Sequence, residues 1–256
     1  PPRSTLFPYT TLFRSARVDA AAFFGAFDEG HAIQYFYEPF LQAFDPEVRK
    51  DLGVWYTPQE IVDYQVERVD QVLRTDLGIA DGLADPDVVI LDPCCGTGTY
   101  LRAVLHRIAA TLRDKGGDAL LAHDLKRAAI ERVHGFEILP APFVICHLQL
   151  GLLLETLGAP LGNAASERVG VYLTNALTGW EPPKEKAKQQ ILFPELAEER
   201  DAAEQVKQHK SILVVIGNPP YNGFAGMAVD EERTLSQAYR TDRKSTRLNS
   251  SHRIRS

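Results

Sequence analysis

Long apolar runs, spaced cysteines and a surplus of basic residues are all missing from this 256-residue chain. None of its apolar runs approaches the ~20 residues needed to cross a bilayer as a helix, which argues against a membrane span. There are only three cysteines. Cys94 and Cys95 are adjacent, and neighbours in sequence cannot readily form a disulfide or share the spaced geometry of a zinc site. Seven histidines include no His-x-x-x-His pair or other metal-ligand spacing. The expectation is therefore no bound metal, with small buried thiols in a reducing cytoplasm. Lysine and arginine number 28 against 34 aspartates and glutamates, for a formal charge of −6. The basic footprint common on nucleic-acid-binding surfaces is not there. What is present is a 45% apolar content, enough to bury the core of one globular domain.

The two ends read differently from the middle. Thr5-Leu6-Phe7-Pro8-Tyr9-Thr10-Thr11-Leu12-Phe13-Arg14-Ser15 resembles the translation of a short-read sequencing adapter, and Asp242-Arg243-Lys244-Ser245-Thr246-Arg247-Leu248-Asn249-Ser250-Ser251-His252 resembles that of the opposite adapter. Residues 1–15 and 242–256 are accordingly set aside as adapter-like. Residues 16–50 are expected to form an N-terminal helical segment, and residues 51–241 an incomplete core. The ends carry net charges of +2 and +4, which leaves −12 of the whole-chain −6 on the remainder. A DNA-reading part lying elsewhere in a longer parent would reconcile that acidity with a nucleic-acid substrate.

Two motifs carry chemistry. The apolar run Ile212-Leu213-Val214-Val215-Ile216-Gly217 reads as a buried strand. Asn218-Pro219-Pro220-Tyr221 follows it directly, and its two prolines end the strand and fix the backbone. An amide, a rigid turn and an aromatic ring are thus presented at a strand's carboxyl end, where open α/β sheets bind ligands. The Asn218 oxygen and the Pro219 carbonyl can accept both protons of an exocyclic amine, and Tyr221 offers a face for a flat ring.

The second motif, Val88-Val89-Ile90-Leu91-Asp92-Pro93-Cys94-Cys95-Gly96-Thr97-Gly98-Thr99-Tyr100, reads as strand, glycine loop and helix start. Leu101 occupies the place of the third glycine of the dinucleotide fingerprint, which argues against a dehydrogenase. Val133-His134-Gly135-Phe136-Glu137-Ile138 is a short strand with an acid near its carboxyl end. Glu137 is suited to a ribose diol; the bland alternative is a surface glutamate.

In order, these pieces are Tyr56-Thr57-Pro58, Asp92-Pro93-x-x-Gly96-Thr97-Gly98, Glu137 and Asn218-Pro219-Pro220-Tyr221. The set resembles the γ class of amino-methylating, S-adenosylmethionine-dependent DNA methyltransferases. Tyr35-Phe36-Tyr37-Glu38-Pro39-Phe40-Leu41 and Gly53-Val54-Trp55-Tyr56-Thr57-Pro58 are similar to the methyltransferase part of Type ISP and Type IIG restriction–modification enzymes. The resemblance spans roughly residues 30 to 223. It implies transfer of a methyl group to the exocyclic amine of an adenine flipped out of double-stranded DNA, with S-adenosylmethionine as cofactor. By the same resemblance Asn218, Pro219, Pro220 and Tyr221 serve catalysis. Tyr56, Thr57, Asp92, Pro93, Gly96, Thr97, Gly98, Glu137 and Asn175 serve the cofactor. Thr57 resembles the residue holding the methionine carboxylate, Asp92 the one facing its ammonium, and Asn175 a polar contact to base or cofactor adenine. An Asn after a strand is also a common turn former. Nuclease, helicase and target-recognition parts are expected on the parent chain, and little activity from this segment alone. Three other readings stay open: a protein-glutamine methyltransferase of release-factor type, an RNA methyltransferase, and a non-catalytic cofactor-binding or specificity scaffold.

The architecture expected is α/β: a doubly wound, mainly parallel, Rossmann-like methyltransferase sheet, truncated, with N-terminal helices over 18–27 and 32–44. Strands are expected near 88–92, 132–138, 169–174 and 212–217. Helices are expected near 100–115, 118–131 and 141–157, the second of them an addition to the usual strand–helix–strand step. Thr57 is expected to cap a helix opened by Pro58. Ile61, Val62, Val66, Val69 and Val72 would line its buried face. Residues 181–188 read as a solvated loop, and 194–209 as an exposed charged helix.

Overall fold

Short runs of β-branched and apolar residues form four strands, and the longer amphipathic stretches between them form helices. The computed structural model describes residues 57–116, 118–162, 167–180 and 194–219. All of these lie in the second of two units, Asp51–Ser256. The expected helices over 18–27 and 32–44, the 181–188 loop, Tyr56, Pro220, Tyr221 and both adapter-like ends lie outside the described residues.

In chain order come helix α1 (Gln59–Thr75), a 3-10 turn (Gly82–Ala84), strand β1 (Val89–Asp92), helices α2 (Thr99–Gly116) and α3 (Asp118–Glu131), strand β2 (Val133–Glu137), helix α4 (Pro140–Thr156), strand β3 (Gly170–Leu173), helix α5 (Pro194–His209) and strand β4 (Ile212–Val215). The sheet order is β3-β2-β1-β4. Every pairing is parallel, with Ile90 opposite Val133, Leu91 opposite Val215 and Glu137 opposite Leu173. Parallel strands buried on both faces read as nearly continuous apolar runs, as β1 and β2 do; β4, expected as a buried strand, buries Val214 but leaves Leu213 and Val215 50% and 66% exposed. The extra helix between β1 and β2 is present as α3.

Alternation along the strands splits the core. Ile90, Val133, Val171 and Val214 join the larger cluster, formed with α1 to α4. Leu91 and Phe136 pack with Ala203 and Val206 of α5 on the other side. Helices therefore cover both faces, as a doubly wound fold requires. The chain reverses its strand order between β1 and β4, so the carboxyl ends of those two strands flank the topological switch point.

Three local expectations are corrected. Thr57 does not cap α1: the N-cap position is Pro58, with no side-chain cap bond. The Pro58 carbonyl takes the Ile61 and Val62 N–H groups, and the Thr57 hydroxyl has a distant partner instead. The buried stripe of α1 is Val62, Val66, Asp70 and Leu73, while Ile61 is 47% exposed. Apolar residues occupy two adjacent stripes of this helix, and the inward one includes an acid that finds partners there. Helix α5 is not wholly exposed, since Ala203, Val206 and Lys207 are buried against the sheet.

The buried acid anchors one flank of the fold. Asp70 is fully buried and accepts the Leu83 backbone N–H at 2.8 Å. Its other oxygen accepts Arg74 Nε at 2.9 Å and Arg107 Nε at 2.8 Å. Arg74 also donates to the Ala80 and Asp81 carbonyls and to the Thr111 hydroxyl. One carboxylate thus ties α1 to the 3-10 turn and to α2.

Candidate active site at the carboxyl edge of the sheet

Strand β1 delivers Asp92 to the switch point and then turns into the glycine loop. Asp92 is 1% exposed. Its Oδ1 accepts the Cys94 N–H at 3.0 Å, and its Oδ2 has no hydrogen-bond partner among the described residues. Burial pushes its pKa up to about 7; the Cys94 N–H opposes that rise, and the nearby Glu137 charge adds to it. The exit of β4 closes over the same carboxylate. A Cβ on Gly217 would stand 2.4 Å from Asp92 Oδ1, so only glycine allows this approach.

The loop itself is held tightly. Cys95 N–H donates to the Phe136 carbonyl, and Gly98 N–H to the Cys95 carbonyl. Gly98 has φ +92, and a side chain there would meet Cys146 Sγ of α4 at 2.6 Å. The cysteines serve packing here: Cys95 and Cys146 are buried, and Cys94 is half-buried.

Glu137 ends β2 and is 8% exposed. Its Oε2 accepts the Gly96 N–H at 2.9 Å, and its Oε1 accepts Ile138 and Leu139 N–H at 2.9 and 2.8 Å. Burial raises its pKa, and these three N–H groups work against the rise. The residue therefore fastens the glycine loop to β2 and satisfies backbone donors at the start of α4. The surface-glutamate alternative fails on this burial. Thr174 N–H donates to the Glu137 carbonyl, which brings the loop after β3 alongside.

Asn175 in that loop forms a turn, its Oδ1 accepting the Leu177 N–H at 2.9 Å. Beneath it lies Lys207 of α5, unnoticed in the sequence. Its ammonium donates to the Thr174 hydroxyl and to the Asn175 and Thr178 carbonyls, and sits 4.9 Å from the Phe136 ring centroid. A lysine in a charged helix carries no local mark of burial, so no sequence signal distinguishes it.

Beyond β4, Asn218 is half-buried and Pro219 exposed. Asn218 Nδ2 donates to Thr57 Oγ1 at 3.0 Å. A continuous series of contacts therefore runs along the carboxyl edge: Thr57 to Asn218, Gly217 to Asp92, Gly96 to Glu137, and Glu137 to the Asn175 loop. Pro93 and Thr97 lie within the glycine loop of that series and are half-buried. Of the residues assigned to catalysis or the cofactor from the sequence, Tyr56, Pro220 and Tyr221 lie outside the described set.

A buried carboxylate oxygen without a partner among the described residues, beside a tight glycine loop and an acid at the next strand end, suits a ligand with a cationic group and a sugar. An adenine-specific methyltransferase, PglX of Streptomyces coelicolor (strain ATCC BAA-471 / A3(2) / M145), is 27% identical over 191 residues, which is 68% of this chain and 15% of that protein. The DrdV–DNA complex is 25% identical with a TM-score of 0.58, covering 86% of this chain and 19% of its own. The ATP-dependent Type ISP restriction–modification enzyme LlaBIII, solved bound to DNA, is 24% identical with a TM-score of 0.63. That match covers 82% of this chain and 14% of LlaBIII, and it speaks to the fold alone. The chain thus spans less than a fifth of the length of each of these relatives. The N-6 DNA Methylase family matches residues 29–248, from before α1 to beyond β4. With that match over residues 29–248, and with a parallel α/β sheet in accord with it, the chain belongs to the N-6 DNA methylase family.

Proposed function

We propose that this chain is the methyl-transferring part of a cytoplasmic restriction–modification enzyme that modifies the exocyclic amine of adenine in DNA. The observation that carries the reading is the assembly, on one strand edge, of Asn218 with Asp92 and Glu137. S-adenosylmethionine, when bound, supplies a methyl group on a sulfonium, which leaves as a neutral thioether. The residues present fit it. Asp92 Oδ2 is a buried acceptor without a partner among the described residues, matched to an ammonium. Glu137 is matched to a ribose diol. Thr57, Pro93, Thr97, Gly98 and Asn175 border the same edge, and Tyr56 directly precedes Thr57 in the sequence.

An adenine amine is a poor nucleophile because its lone pair is delocalised into the ring. Hydrogen bonds from that amine to Asn218 Oδ1 and the Pro219 carbonyl favour a more tetrahedral nitrogen. They also stabilise the positive charge that grows there until a proton is released. Tyr221 would stack on the flipped base. Double-stranded DNA is the proposed partner, with target-recognition, nuclease or helicase parts in the full-length protein. Those parts would supply the basic surface absent here. The relatives favour this reading over glutamine or RNA methylation.

Full-length protein incubated with labelled S-adenosylmethionine is expected to leave N6-methyladenine in unmethylated DNA and no label in a release-factor protein. Label in protein with none in DNA would overturn the reading.

A pH dependence follows from Asp92. Its carboxyl pKa is raised to about 7 in the free site, so below neutrality it is mostly protonated and presents no charge to an ammonium. Binding a cation beside it draws the pKa down and releases a proton. Cofactor affinity is therefore expected to rise with pH up to about 7, by up to about tenfold per unit, and then to level off. Calorimetry in two buffers of different ionisation heat checks this through the proton released on binding. The Asp92→Asn variant should lose both the proton release and the slope.

A further inference from the structure

Thr57 lies 161 residues from Asn218 in sequence, yet its hydroxyl takes that side chain's amide proton at 3.0 Å. An asparagine amide has two ends of nearly the same shape and opposite hydrogen-bonding character, and its partners decide which way it faces. If Oδ1 is to accept a proton from a target amine, Nδ2 must point the other way and be satisfied there. In the reverse orientation, Nδ2 would confront the amine, donor against donor. Asn218 is half-buried, so an unmatched NH2 group on its inner side loses water without replacing it.

The backbone around this amide is constrained on both sides. Gly217 is pressed against Asp92 with no room for a side chain. Thr57 directly precedes Pro58, whose ring fixes the start of α1. The two side chains therefore meet at the ends of rigid supports. The hydroxyl can donate as well as accept, so it does not choose the orientation unaided. The incoming amine selects the orientation, and the hydroxyl then pairs an Nδ2 proton on the side away from the amine.

From this geometry we infer that Thr57 is a positioning residue for the proposed reaction, pairing Asn218 Nδ2 so that the amide can keep its oxygen turned to the substrate. The inference rests on the methyl-transfer reading above and assigns Thr57 a task distinct from holding the cofactor. It also accounts for the hydroxyl's absence from the cap of α1.

The test uses single-turnover methyl transfer by the full-length protein at saturating cofactor and DNA. Thr57→Val keeps the shape and removes the hydroxyl; Thr57→Ser restores it. Thr57→Val is expected to slow transfer about tenfold to thirtyfold, and Thr57→Ser to remain within about threefold of wild type. The thermal midpoints of both variants should match that of wild type. In an Asn218→Ala background, Thr57→Val should have no further effect, because the amide it serves is gone. That non-additivity separates positioning from a purely structural or cofactor-holding role. A Thr57→Val rate within threefold of wild type, or an equal loss in the Asn218→Ala background, would overturn the inference while leaving the function intact. A wild-type protein that methylates no adenine would overturn the functional reading itself, and this inference with it.

Discussion

Asn218→Ala is expected to reduce methyl transfer to adenine by about 10²–10³-fold, the usual consequence of removing one preorganised contact to developing charge. Cofactor binding should change by less than about threefold. The reason lies in where the residue stands. Asn218 follows β4 on the far side of Gly217 from the strand, and its only described side-chain bond is to Thr57. Among the described residues no hydrogen bond joins its amide to Asp92, the glycine loop or Glu137, so truncation is expected to leave those groups as they are. The loss should fall on kcat, because the amine–oxygen contact strengthens only as the nitrogen gains charge. Rapid-quench measurement of the transfer step, beside calorimetric titration of S-adenosylmethionine, separates the two effects. A variant that turns over within threefold of wild type would remove Asn218 from the chemistry.

Asp70→Asn is expected to bring the largest loss of stability, about 3–5 kcal/mol, as when one partner of a buried ion pair is removed. For a domain of this size that is roughly 6–20 °C in thermal midpoint. The carboxylate is fully buried, and both Arg74 and Arg107 converge on one of its oxygens. An amide at that position would turn Nδ2 toward two guanidinium groups or forfeit the Leu83 N–H. The same site gives a pH signature. Burial pushes the Asp70 pKa up, but the Leu83 N–H, Arg74 and Arg107 outweigh it and hold it below its ordinary value. A depressed carboxyl pKa contributes stability at pH values above the unfolded pKa of about 4, and that contribution is lost as pH falls through the folded value. The gap between wild type and Asp70→Asn should therefore be widest near neutrality and narrow in acid. A midpoint difference that does not shrink between pH 7 and pH 3 would refute the charge-based account.

The residues that announced themselves in the chain did so through local rules. Val89 to Asp92 and Ile212 to Val215 form strands where continuous apolar runs indicated them. Helix α3 appears where the long separation from Asp92 to Glu137 called for an extra element. Glu137 was legible as an acid at a strand end, though not as the clasp of the glycine loop, because the Gly96 N–H it accepts is 41 residues away. Lys207 was read as solvent-exposed for a related reason. Its helix is rich in charge, and only the oxygens of the β3–α5 side show that one of those charges is buried.

The amino-acid sequence by itself determined the fold class, the order of the elements, the motif set and, through that set, the family. These depend on periodicity, turn chemistry and short motifs, all of which act between near neighbours. Tertiary structure alone decided which polar groups meet. Asp70 with Arg107, Gly217 against Asp92 and Thr57 with Asn218 are partners across 37, 125 and 161 residues. No local pattern encodes such pairs, because a buried polar side chain is satisfied by whatever donor or acceptor packing brings within about 3 Å. That packing is settled only when the whole sheet closes.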